Sequence, residues 1–171
     1  MPWTAPTPFP FDGPLTGPER PMLVAYLHWE RATLLNICAG LTGEQLAARS
    51  VATSNLSLLG LLRHLAKVER TWFRQRVGDE AVEPLFALAL GKDHDFDAVD
   101  PEHAEEDYRR YLEECALADQ AAADLPFDHT FDVRGQTFSV RMAYVHMIGE
   151  YGRHNGHADL LREAIDGVTA R

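Results

Sequence analysis

The stretch HMIGEYGRHNGHADLL, residues 146–161, combines helical spacing of apolar residues with one acid and three imidazoles. Advancing about 100° per residue from His146 puts Glu150 at about 40°, His154 at about 80° and His157 at about 20°. Ala143, Met147, Leu161 and Ile165 fall between about 60° and 100° on the same wheel and mark the side that meets the core. Glu150 and His154 therefore sit in the middle of the apolar stripe, with His146 and His157 nearer its edge. A carboxylate held there without a partner costs several kcal/mol. It calls for a buried basic group, a proton or a cation. Glu and His one turn apart can converge on one ion. The same pair is also common as an ordinary contact on a helix surface.

Working outward, Ser139 is placed to cap this helix and Gly167 to end it, which predicts a helix over about residues 140–165. Before it, HTFDVRGQTFS breaks the helical period, and its alternation around Arg134-Gly135 suits a small hairpin. PEHAEEDYRRYLEECALADQAAADL predicts a third helix, with Asp100 as N-cap, Pro101 at N1 and acids in the first turn. SLLGLLRHLAKVERTWFRQRVG predicts the second, capped by Asn55 or Ser57 and stopped at Gly78. MLVAYLHWERATLLNICAGL predicts the first, ending near Gly40 or Gly43. The segments 43–55 and 79–100 are expected to be connectors. Four helices of about 20 residues around one core imply an all-α, four-helix bundle. Seven of the ten prolines fall within residues 1–21, so residues 1–20 form a Pro-rich arm and 21–171 the helical domain. Trp3, Phe9 and Phe11 suggest that the arm packs on the domain or on a partner.

The 171 residues suit a single domain. The formal net charge of −10 comes with no basic patch, which argues against nucleic-acid binding. No apolar run approaches membrane-spanning length, and the N-terminus lacks the features of a signal peptide, so the expected location is the cytoplasm with no membrane contact. Cys38 and Cys115 are expected to be buried small hydrophobes rather than a disulfide or a nucleophile.

His64, in LLRHLAKVERTW, points to the edge of the second helix's apolar stripe. A lone His on such a face is usually a satisfied core residue. What strengthens a metal reading is a second signal on a separate long helix of a bundle, where such sites are built. His28 is expected at an edge of the first helix, and His94, His103 and His129 in or beside connectors. Glu69 and Arg70 could be a pair that supports the candidate ligands or an ordinary polar face, and the polar face is the favoured expectation. Gly149, Gly152 and Gly156 make a smooth strip away from the candidate ligands, which suggests a close neighbour, either within the bundle or in a second subunit, with the bundle neighbour favoured.

SLLGLLRHLAKVERTWF, followed far downstream by YVHMIGEYGRHNGHADLLREAIDG, resembles the DinB-like superfamily. That group includes the YfiT-type proteins, the mycothiol-dependent maleylpyruvate isomerases and bacterial thiol S-transferases. The likeness is strongest to a branch ending in HNGHADLLRE and covers about residues 20–167. It implies a DinB/YfiT-like four-helix bundle with an unusual connection order. It also implies a divalent metal held by His64, Glu150 and His154. Many members carry His where this chain has Glu150, whereas the mycothiol-dependent isomerases are similar to it in using Glu. His157 stands where many members have Gln, which leaves open whether it binds metal, orients a ligand or contacts substrate. His146 matches a frequent extra His.

With two imidazoles and a carboxylate, zinc is the first choice of metal, with nickel, iron or manganese as alternatives. The resemblance implies a metal-dependent S-transferase or isomerase acting on a small electrophile, with mycothiol as the thiol co-substrate. His157 or His146 would shuttle the proton, and the expected assembly is a homodimer. The competing readings are a metal-dependent hydrolase of a small ester or amide and a non-catalytic metal-binding stress-response module.

Overall fold

A computed structural model describes residues 2–8, 13–86, 91 and 93–169. The chain is mostly helical. Helix α1 spans Glu19–Cys38, and Gly40 leaves it at φ +77°, a conformation that costs glycine little. A short α2, Gly43–Ala47, lies in what the sequence suggested was plain connector. Thr42 and Gln45 close a capping box there. Helix α3, Leu58–Glu69, starts at Ser57, whose side chain accepts from the Gly60 amide. It continues without a break into a π-helical segment, Arg70–Val77. The Gly78 amide closes that segment by donating to the Phe73 carbonyl at 2.7 Å.

A second short helix, α4 (His94–Asp97), lies in the connection between the second and third long helices. Asp100 caps a 3₁₀ turn at Pro101–His103 that leads into α5, Ala104–Ala122. Strands β1 (Thr130–Val133) and β2 (Gln136–Ser139) pair antiparallel as the alternation suggested. Arg134 and Gly135 both have positive φ at the turn, +53° and +80°, the twist that a two-residue hairpin needs. The last helix, α6, runs from Val140 to Asp166, with the Ser139 side chain accepting from Met142 N and Gly167 left-handed at φ +77°.

Cross-helix contacts set the directions. On α1 and α6, Glu19 meets Arg141, Glu30 meets Asn155 and Ile37 meets Arg162, so these two helices run parallel. Arg63 meets Asp107 and Arg70 meets Glu114, so α3 and α5 are also parallel. His64 meets His154 and Trp72 meets His146, so α3 runs against α6. The long helices thus go up, down, down, up. Parallel neighbours cannot be joined by a tight turn, which is why a long connection separates α3 from α5. That connection brings α4 against α3.

The arm packs on the domain. Trp3 meets Tyr108 edge-on with ring centroids 5.7 Å apart, and the backbone of Ala5 bonds both Leu41 and Gly40. Phe9 and Phe11 lie outside the described residues. Cys38 and Cys115 are free and buried, and burial pushes both thiols up to about 12.

Two expectations need correction. Glu69 and Arg70 do not make a polar face. Glu69 is fully buried, bonded bidentately by Arg31 at 2.7 Å and by the Tyr151 hydroxyl at 2.8 Å, while Arg70 pairs with buried Glu114. The helix surface there faces α1, α5 and α6, so a charge on it can be covered only by another charge. The glycine strip does not receive a bundle neighbour either. Nothing lies within 4 Å of where a Cβ would stand at Gly149, Gly152 or Gly156. All three face outward because α1 and α3 pack on the other sides of α6.

Candidate metal centre

Helix α3 contributes His64 and α6 contributes Glu150 and His154. One potential ligand atom from each lies within 4.8 Å of the others. The His64 and His154 rings meet edge-on with centroids 4.8 Å apart. His154 Nε2 is 3.4 Å from one Glu150 oxygen. His154 is buried and Glu150 half-buried, its side chain 19% exposed, so the acid lies beneath the surface without being sealed off.

Each imidazole has its outer nitrogen engaged. His64 Nδ1 lies 2.8 Å from Asp95 Oδ2, which leaves Nε2 for the centre. The His64 ring also stacks on Phe96, with centroids 4.9 Å apart. Burial alone would raise the Asp95 carboxyl, but the hydrogen bonds from His64 and Lys67 outweigh it and hold the group down at about 2. A carboxylate behind a histidine in this way fixes the ring's tautomer and orientation. Burial and the neighbouring His64 hold His154 down at about 4, so the ring is neutral at pH 7 with a lone pair available. Its Nδ1 lies 3.4 Å from His157 Nδ1, on the ring edge away from Glu150.

His146 stands on the other side of Glu150, with Nε2 3.7 Å from the second carboxylate oxygen. Its ring lies over Trp72, centroids 4.1 Å apart, and burial lowers its basicity. Trp72 is held edge-on by Phe131 and Phe138, which pair across the hairpin. The hairpin thus backs the wall of the site. Beside it a cavity of about 330 Å³ is lined by Lys67, Val68, Thr71, Trp72, Leu85 and Phe86 among others.

Two imidazole nitrogens and one carboxylate oxygen converging from two rigid helices match the donor set of an open zinc-type site. One ring held neutral by burial, and another backed by a carboxylate, fit the same use. The remaining histidines stand apart. His28 bonds Asp119, His103 bonds Asp100, His129 is exposed, and His94 is half-buried at the start of α4. Asp95 escapes a reading of the sequence. It sits in a polar connector among other acids, and only the packing of α4 on α3 brings it to His64.

The sequence pattern of the mycothiol-S-transferase family matches residues 22–167, which span α1 to the end of α6. The chain belongs to the mycothiol-S-transferase family. That family lies within the DinB/YfiT-like superfamily. Neither a curated protein nor a solved structure matches the chain. No helix among the described residues is long and apolar enough to cross a membrane.

Proposed function

We propose that the protein is a metal-dependent S-transferase that joins mycothiol, or a closely similar low-molecular-weight thiol, to a small electrophile. The observation that carries this reading is the convergence of His64, Glu150 and His154 within 4.8 Å, in a chain of the mycothiol-S-transferase family. These three side chains would hold a divalent cation, zinc being the first choice for two imidazoles and a carboxylate. The cation's contribution would be to acidify a bound thiol, since a thiol on a metal loses its proton.

The chain's own residues supply the rest. Asp95 keeps Nε2 of His64 aimed at the centre, and His157 braces His154 from behind. His146, its basicity lowered by burial, receives the thiol proton at Nε2. The apolar walls of the Trp72 cavity take the electrophile and keep bulk water from it. The expected assembly is a homodimer, read from the sedimentation of the purified protein.

The test pairs metal analysis with turnover. Purified protein should carry close to one equivalent of metal. It should consume monobromobimane faster with mycothiol than with an equal concentration of cysteine. His64→Ala and His154→Ala should lose both metal and turnover. Full metal content in both variants would remove the site. Hydrolysis of a p-nitrophenyl ester at undiminished rate without any thiol would favour the hydrolase reading instead.

A further inference from the structure

Among the described residues, the arginines that leave water follow a rule with one exception. Arg31, Arg63, Arg70 and Arg74 leave water and each bonds a carboxylate. Arg20 and Arg162 reach backbone carbonyls. Arg76 is half-buried and bonds neither a carboxylate nor a carbonyl among the described residues. Its guanidinium lies over the indole of Trp72, 4.3 Å from the ring centroid. Two acids, Asp79 and Asp132, line the recess beside it, yet neither comes within ion-pair distance. Asp132 instead accepts a hydrogen bond from Thr137 at 2.8 Å. A partly desolvated cation with no counter-charge is costly unless something anionic arrives to meet it.

Its position ties it to the metal centre. Arg76 stacks on Trp72, Trp72 stacks on His146, and His146 lies 3.7 Å from Glu150. Trp72 also walls the 330 Å³ cavity, whose lining is otherwise largely apolar: Val68, Leu85, Phe86 and Pro84. Burial and nearby Arg134 lower the basicity of Arg76, and both Arg76 and Arg153 act through space on His146. Arg76 itself lines an adjoining recess that shares Gln75 with the cavity, so its guanidinium stands beside the cavity, over the face of Trp72.

We propose that Arg76 determines specificity for the electrophile by receiving a carboxylate on a substrate whose apolar body sits in the Trp72 cavity. The guanidinium fork matches a carboxylate in two parallel hydrogen bonds, and the indole beneath it holds the fork flat. The substrate class is therefore a small organic monoanion with a planar or apolar body, not a neutral electrophile. This rests on the S-transferase reading for what happens to the substrate, but not for its binding.

The test is calorimetric titration of the purified protein with benzoate and with benzamide, without any thiol. The wild type should bind benzoate tighter than benzamide by about tenfold or more, the scale of a charge-assisted pair. Arg76→Gln should lose about tenfold for benzoate while benzamide affinity stays put. Arg76→Lys should fall between, since it keeps the charge and loses the fork. Unchanged thermal melting would show that the variants fold. The proposal is overturned if benzoate does not bind the wild type or is not preferred to benzamide. It is also overturned if benzoate binds Arg76→Gln as tightly as wild type, including binding that a chelator then removes. Because no turnover is read, absence of mycothiol-dependent activity would sink the S-transferase reading and leave this measurement standing.

Discussion

Glu69 and Glu150 are both carboxylates that helices carry out of bulk water, on α3 and α6, and the fold answers them in opposite ways. Glu69 is completely buried and completely satisfied, with a bidentate guanidinium from Arg31 and a hydroxyl from Tyr151. Glu150 is half-buried and faces imidazoles alone, His146 and His154, with no Lys or Arg bonded to it among the described residues. The first is met inside the core by a guanidinium, which Asp119 also bonds from its outer side. The second is an open anion beside a neutral ring with a free lone pair. A protein that can bury a matched ion pair one helix away has the means to neutralise Glu150 with an arginine. Leaving it with imidazoles keeps the place of the counter-charge for a ligand.

The contrast can be broken first at its structural end. Glu69→Gln should destabilise the protein by up to about 3–5 kcal/mol, because buried Arg31 is left with only the half-buried Asp119 as counter-charge. Urea denaturation of metal-free protein measures this, and Glu150→Gln in the same assay should cost far less. Equal losses would erase the distinction between the two sites.

Acid separates them next. His154 is held near 4 in the fold, whereas an unfolded histidine titrates near its ordinary 6.5. The unfolded chain therefore takes up a proton that the folded chain refuses, and stability falls as pH drops through that window. Metal-free protein should lose about 3 kcal/mol between pH 6.5 and 4 from this group. His154→Gln should flatten that slope. A further loss, as Asp95 protonates toward 2, would come only below about pH 4.

Asp95→Asn sharpens the comparison without touching any of the three converging side chains. It should weaken zinc binding by about 10- to 100-fold by releasing His64 from its fixed orientation. Competition with a chromophoric chelator reads the change, and an unchanged affinity would make Asp95 merely a partner of Lys67. The smallest effect belongs to the outer face of α6. Gly152→Ala and Gly156→Ala should each stabilise the protein by up to about 1 kcal/mol, since a methyl group there meets nothing. Loss of stability instead would show that another chain covers the strip.

Much of this molecule can be read from spacing alone. Ser57, Asp100, Ser139 and Gly167 set helix ends through local backbone bonds, which depend only on near neighbours. The Arg134-Gly135 turn is local in the same sense. The 3.6-residue period places His64, Glu150 and His154 on inward faces, and the fold brings those three together.

Period alone could not say what each inward face would meet. It marks Glu69 as one more polar residue, and only the docking of α1 and α6 supplies Arg31 and Tyr151. It gives no warning of the π-helical segment at Arg70–Val77, where Trp72 lies under His146 and Arg76 over Trp72. Asp95 reaches His64 because parallel α3 and α5 need a long connection, which folds α4 back over α3. Sequence thus determined the long helices and which of their sides avoid water, since both are set by interactions within a few residues. Tertiary structure alone decided which charges find partners, because a partner is chosen by packing between segments far apart in the chain.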